Sequence, residues 1–283
     1  MEITGVYAGK LVKEWQNKTG SVSLHSMFKH SFNLTDGHSL LHVGMLENNI
    51  VPFGLHVSQY HFHLLQHAIK KDQVKMKVSH GKLTIGSMVI SLELVKYYDP
   101  LKIEWQPFCS STDTRFVCHL ASTFNGKTGL DFTKELAGNA PYFDYCCSDK
   151  KEEVTRYFIH YIGRGLGLTP SGDDFTVGLL AVHHVSPFLS TVFLKGLADY
   201  LKEDVTTDVS KAYINAALSG YFSLQVDQVM TAFAYEEPER LHQAVRQLGE
   251  MGHTSGYDTL MGIVLGLQQV VRQNVIEGVS DKE

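Results

Sequence analysis

Between Met76 and Leu92 the apolar positions Met76, Val78, Leu83, Ile85, Met88, Ile90 and Leu92 alternate with polar ones on either side of Gly81 and Gly86. Period two of this kind predicts half-buried antiparallel strands. Turn signals at Thr35-Asp36-Gly37, Glu47-Asn48-Asn49 and His80-Gly81-Lys82 extend the strand-rich reading over the first hundred residues. One helix interrupts it from Ser58 to Lys70, where Tyr60, Leu64, Leu65 and Ala68 fall at helical spacing. A small barrel or sandwich with one covering helix is expected. From about Ser111 the period changes. Phe116, Val117, Leu120, Ala121 and Phe124 share a helical face that ends at Asn125-Gly126. Further faces follow at Val154, Tyr157, Phe158, Tyr161 and Ile162, at Val209, Ala212, Tyr213, Ala216 and Ala217, and at Leu241, Ala244, Val245 and Leu248. The fold class is therefore α+β, a β-rich part over residues 1–107 followed by a helical part over 108–283. The break falls between Tyr98 and Ser111, where Asp99-Pro100 and Gln106-Pro107 interrupt the pattern.

Composition narrows the function without naming it. The chain has 283 residues, 43% hydrophobic and 19% charged, enough to bury a core without disulfide staples. With 25 basic against 30 acidic residues, the formal charge of -5 offers no broad positive face, so nucleic acid is not an expected partner. Any anionic ligand must be held by a local pocket of backbone N–H groups and one Arg. Cys109, Cys118, Cys146 and Cys147 lack metal or disulfide spacing and read as reduced structural thiols. The N-terminus carries no signal-like segment, and no apolar run reaches the roughly 18 residues of a membrane span, so a cytoplasmic protein with no membrane contact is expected.

The chemistry concentrates at Gly163-Arg164-Gly165-Leu166-Gly167-Leu168-Thr169-Pro170-Ser171-Gly172-Asp173-Asp174, a loop that follows one amphipathic helix and delivers the start of another. Ser171 reads as an N-cap with Asp174 three residues on, as in a capping box. Capping alone does not require three alternating glycines. They permit positive φ and close approach to backbone N–H groups, which together with a helix N-terminus make an anion nest, with Arg164 as a fork of donors. The segment is neither a phosphate-binding Walker loop nor a dinucleotide fingerprint, because it lacks Gly-Lys-Ser/Thr and follows a helix rather than a strand.

The arrangement repeats 84 residues later in His253-Thr254-Ser255-Gly256-Tyr257-Asp258: Ser171 aligns with Ser255, Gly172 with Gly256, Asp174 with Asp258 and Gly178 with Gly262. Each helix thus presents a carboxylate one turn before a bare glycine patch. Glycine at both equivalent positions predicts a tight crossing that brings the two N-termini to one pocket. Gly165, Gly167 and Gly172 are expected as backbone donors. Thr169, Ser171, Ser255 and Gly256 join them as ligand contacts, Asp173, Asp174 and Asp258 as orienting or proton-accepting groups, and His253 as an acid or base. Other patterns carry less. His61-x-His63 and His183-His184 lack the partners of a zinc site, and the Tyr142-Phe143-Asp144-Tyr145 run reads as packing. His25-Ser26 shows no triad partner. No resident metal or cofactor is expected; Mg²⁺ on Asp173, Asp174 and Asp258 is the one candidate.

Gly163 to Asp174, Gly252 to Asp258 and the upstream stretch Val22-Ser23-Leu24-His25-Ser26-Met27-Phe28 with Phe32-Asn33-Leu34 resemble the AllH-like family, the oxamate carbamoyltransferase subunit. The resemblance implies a multisubunit enzyme of allantoin catabolism in which such a chain acts with FdrA-like and AllG-like subunits. It would interconvert oxalurate and phosphate with oxamate and carbamoyl phosphate. One departure stands beside it: Ser111-Thr112-Asp113-Thr114-Arg115 puts Asp where the carbamoyl phosphate loop of classical transcarbamoylases has Arg. A noncatalytic assembly subunit or a small-anion sensor is therefore the alternative reading.

Overall fold

The computed structural model describes residues 1–46, 49–71, 74–98, 127–235 and 237–280, the last seven of these by backbone alone. Two compact units are present. The first comprises Met1–Leu101 with Tyr221–Asp227, and the second Lys102–Gly220 with Gln228–Glu283. The expected boundary after residue 107, the helix expected through Phe116 and Phe124, the Ser111–Arg115 stretch, Cys109 and Cys118 lie outside the described residues.

The first unit is built from short strands: β1 (Glu2–Ile3), β2 (Tyr7–Ala8), β3 (Gly20–Ser21), β4 (Ser23–Met27), β5 (Ser31–Thr35), β6 (Leu40–Met45) and β7 (Gly54–Val57), then helix α1 (Gln59–Ile69), β8 (Met76–Ser79), β9 (Lys82–Ile85), β10 (Met88–Ser91) and β11 (Lys96–Tyr97). They form two sheets, β1-β10-β9-β8-β3 and β11-β2-β7-β6-β5-β4. The alternation read from sequence explains the first sheet. Val78, Leu83, Ile85 and Ile90 turn inward, and the β8–β9 hairpin closes through His80 and Gly81 at positive φ (48° and 67°), as a two-residue primed turn demands. Phe32, Leu34, Leu41, Val43, Leu55 and Val57 from the second sheet meet them in one shared core. This is a sandwich, with Trp15 and Val12 of the 3₁₀ helix Lys10–Asn17 filling its margin. Helix α1 starts where expected, Ser58 accepting from the His61 N–H, but it buries Phe62, Leu65 and Ile69. Tyr60, expected on the inner face, is 66% exposed. Phe62 stacks on Phe32 at 5.8 Å, and that aromatic anchor fixes the rotation of the helix.

The second unit is helical: α2 (Thr133–Leu136), α3 (Pro141–Asp144), α4 (Lys151–Tyr161), α5 (Ser171–Val185), α6 (Thr191–Tyr200), α7 (Asp208–Leu218), α8 (Leu224–Ala234, whose first turn belongs to the first unit), α9 (Pro238–Gly249) and α10 (Ser255–Ser280). An aromatic cluster holds α4 to its neighbours, with Tyr157 edge-on to Phe193 at 4.9 Å and Tyr161 against Phe175 at 5.2 Å. The hydroxyls inside it are satisfied: Tyr161 donates to Glu135 at 2.6 Å and Tyr157 pairs with Thr176 at 3.1 Å. Of the run expected to pack, Phe143 is buried against Phe175, while Tyr142 is exposed and stacks on His160 at 4.4 Å. Helix α5 is buried without interruption from Ser171 to Val182, so it is the central element of the unit.

Candidate functional site

Helices α5 and α10 cross as the paired glycines predict. A Cβ added at Gly178 would lie 2.1 Å from the Thr259 carbonyl oxygen, and one at Gly262 would lie 2.0 Å from that of Phe175. Only hydrogen fits at either place. The echo goes further than the sequence showed, because a Cβ on Gly172 would sit 1.9 Å from the Tyr161 carbonyl and one on Gly256 would sit 1.8 Å from that of Leu248. Each Ser-Gly start is therefore pressed against the last turn of the helix before it. Two helix–loop–helix units, α4–α5 and α9–α10, face one another through this contact.

At the crossing the two motifs exchange partners. Asp174 receives hydrogen bonds from Ser255 and Thr169, and Asp258 receives them from Ser171 and Thr254. Thr169 and Ser255 also touch, 2.8 Å between hydroxyl oxygens. The Gly129 N–H adds a bond to Asp258 Oδ1 at 2.9 Å, and a pocket of about 270 Å³ lined by residues 128–133, Leu136 and Met261 adjoins it. Both carboxyls are sequestered, and their Oδ2 atoms have no hydrogen-bond partner. Burial pushes Asp174 well above the ordinary carboxylate range, the nearby Asp258 charge adding to it, and burial raises Asp258 as well. Burial favours the protonated form of each carboxyl, and the Asp258 charge favours it further at Asp174.

Several expectations change. Ser171 is the first residue of α5 and not its cap; Pro170 occupies the cap position without a side-chain bond, and the Ser171 hydroxyl is committed across the crossing. The Gly172 N–H, expected as a ligand donor, gives its bond to the Arg164 carbonyl at 2.9 Å, and the Asp173 and Asp174 N–H groups give theirs to Pro170. Asp173 is also committed: it accepts from the Gly163 N–H at 2.7 Å, from Ser210 at 2.6 Å and from Thr206. It ties the glycine loop to α7, which the spacing of Thr206 and Ser210 gave no means to foresee. The Arg164 side chain turns back to His160 at 3.1 Å and stays exposed. His253 is exposed beside the start of α10. Gly165 and Gly167 are exposed with φ of 127° and 91°, so of the expected backbone donors these two remain on an open loop. Among the described residues no three His, Cys, Asp or Glu side chains gather as a metal site. His183 accepts from the N–H groups of Phe188 and Leu189, and Cys146 lies buried 3.6 Å from Cys147, both sulfurs free.

Two family models match the chain: oxamate carbamoyltransferase subunit AllH over residues 161–267, which spans both twin motifs, and the AllH family N-terminal domain over residues 4–97. The chain belongs to the AllH family. No solved structure matches it. The AllH match begins at Tyr161, whose carbonyl presses on Gly172, and contains every residue of the carboxyl pair and its serines. The family is that of an enzyme subunit, so a multisubunit assembly is its setting. Among the described residues no helix is long and apolar enough to cross a membrane.

Proposed function

We propose that this AllH-family chain is a working subunit of an oxamate carbamoyltransferase that interconverts oxalurate and phosphate with oxamate and carbamoyl phosphate in allantoin and purine catabolism, in the cytoplasm, beside FdrA-like and AllG-like subunits. The observation that carries the reading is the crossed carboxyl pair, Asp174 under Ser255 and Asp258 under Ser171, each with a sequestered and unpartnered oxygen. In the forward direction a phosphate oxygen bonds to the ureido carbonyl carbon, the C–N bond to oxamate breaks, and the departing amide nitrogen takes a proton. A carboxyl whose pKa burial raises is suited to supply that proton. In this reading the N–H groups of the exposed Gly165 and Gly167 hold anionic oxygen at the loop. Arg164 and His253 are exposed, whereas the Gly256 N–H, expected as a ligand contact, gives its bond to the Met251 carbonyl at 3.1 Å. Because Asp174 and Asp258 are covered, access requires the glycine loop between α4 and α5 to move, and its positive-φ glycines allow that.

A second reading rests on Leu166, which is 94% exposed at the tip of the same loop. An apolar tip on a sequestered polar core also suits a noncatalytic assembly subunit that docks on a neighbour. Carbamoyl phosphate formation from oxalurate and phosphate by the purified complex separates the two. With Asp174→Asn, activity is expected to fall by on the order of 10²-fold or more while the complex still co-purifies. Unchanged activity in Asp174→Asn and Asp258→Asn, with loss of co-purification in Leu166→Ser, would instead establish the assembly role. Calorimetric titration with phosphate, oxamate and carbamoyl phosphate, repeated on Ser171→Ala, reports binding directly.

A further inference from the structure

The sheet β11-β2-β7-β6-β5-β4 has two faces of opposite character. One turns Leu34, Leu41, Val43, Leu55 and Val57 into the sandwich core. The alternate positions form a polar row across four strands: Ser26 opposite Asn33, Asn33 opposite His42, and His42 diagonal to His56 with ring centroids 5.7 Å apart. Asn33 and His56 are 2% and 1% exposed, so this polar face is not a solvated one. Gly44 and Gly54 make room for the rings, since a Cβ on either would come within 2.7 Å of an imidazole nitrogen.

His56 Nε2 accepts from the Val51 N–H at 3.0 Å, which places the ring proton on Nδ1, a buried atom with no partner. His42 Nδ1 meets Asn33 Oδ1 at 3.0 Å, Asn33 Nδ2 donates to the Ser26 hydroxyl oxygen at 2.9 Å, and Ser26 Oγ lies 3.1 Å from His25 Nδ1. The Ser26 hydroxyl keeps its proton to donate to His25 Nδ1 in the tautomer that protonates His25 on Nε2. Burial keeps both inner imidazoles neutral, His42 down to about 4 and His56 to about 3. Neighbours on a strand ordinarily face opposite sides. Here a register shift between Leu24 and Ser26 swings His25 toward the Ser26 side, and bulges of this kind re-aim side chains beside functional sites. His25 and Ser26 are the partly exposed end of the chain, where a reagent can reach them.

We propose that Ser26 is a nucleophile with His25 as its base, an acyl-accepting site on the N-terminal unit for activated carbonyl donors such as acyl or carbamoyl phosphates. The Ser26 oxygen bonds to the carbonyl carbon, the bond from that carbon to the phosphate oxygen breaks, phosphate leaves with the electron pair, and the hydroxyl proton passes to His25 Nδ1. Asn33 and His42 are positioning residues. The site stands whether or not the carboxyl pair of the other unit is catalytic.

The test is acylation of the full chain by p-nitrophenyl acetate and by carbamoyl phosphate, followed by intact mass and peptide mapping. One adduct on Ser26 is expected, absent in Ser26→Ala and formed on the order of 10²-fold more slowly in His25→Gln. A second measurement guards against a serine too hindered to label: Ser26→Cys should be alkylated by iodoacetamide faster than the same variant carrying His25→Gln. No adduct on Ser26, together with alkylation indifferent to His25, would overturn the proposal.

Discussion

The starts of α5 and α10 coincide at four positions and part at the third residue of the motif, and that difference shows what each position is for. Ser, Gly, the second Asp and the crossing Gly coincide, and in both motifs they build the same contacts: a serine bound across to the other carboxyl, a glycine against the preceding helix, a glycine against its twin. The third position departs. Asp173 reaches back to Gly163 and across to Thr206 and Ser210, whereas Tyr257 in the other motif packs beside Gly249 and takes Lys127 over its ring at 5.0 Å. The shared residues make the pair; the unshared one tethers each loop. A long glycine loop needs a buried polar anchor, while the short Glu250–Thr254 turn is held by ring packing.

The shared part is where substitution does most damage. Gly178→Ala or Gly262→Ala forces a methyl into a backbone oxygen about 2 Å away, with no rotamer to relieve it, and the helices must separate. We expect a loss of about 3 kcal/mol, a fall in Tm of about 6–12 °C in thermal melts. The double variant should lose less than the sum, since a crossing already opened admits the second methyl cheaply; strict additivity would mean that the two glycines do not share one contact. Next in size is the unshared anchor. Asp173→Ala leaves the Gly163 N–H and two hydroxyls without their acceptor and should cost about 2 kcal/mol, with faster amide exchange at Gly163 and through the loop. Exchange unchanged at Gly163 would show that the loop is held by something other than Asp173.

How much of this could be read beforehand follows from what each signal encodes. The 84-residue echo made the Gly178–Gly262 crossing legible, because a glycine inside a buried helix marks a place where another backbone comes close. The alternation around Gly81 gave the first sheet for the same kind of reason. Spacing could not reveal the exchange of serines between motifs. Ser171 looks like a cap in one dimension, and only the packing of Gly165 against its amide, where a Cβ would lie 2.5 Å away, moves it into the helix. The anchors Thr206 and Ser210 come from a different helix start, with no pattern linking them to Asp173. The polar row of the second sheet was hidden by the rule that served the first, since polar alternation on a strand reads as a solvated face. Helix α1 was found but rotated, because Phe62 was chosen for the core by its contact with Phe32.

The carboxyl pair gives a pH signature that the two tethers should not share. Asp174 and Asp258 have folded pKa values raised above the unfolded one, so the folded state binds protons more readily than the unfolded chain. Their contribution is intact at acid pH and is lost as pH rises above about 4 toward their folded values, at up to about 1.4 kcal/mol per pH unit for each group. Melting temperature measured from pH 4 to 8 should therefore fall less steeply in Asp174→Asn than in the parent protein. Asp258→Asn should shift the remaining slope to lower pH, because the charge that pushes Asp174 up is gone. A slope indifferent to both substitutions would show that the pair ionises without cost. The smallest effect belongs to the other tether. Tyr257→Phe removes the hydroxyl that meets Lys127 Nζ at 3.5 Å, yet it keeps the ring against Gly249 and the cation over its face. A change of less than about 0.5 kcal/mol is expected in denaturant titration. A much larger loss would make the Tyr257 hydroxyl a polar anchor in its own right and bring the two helix starts closer in kind than their sequences suggest.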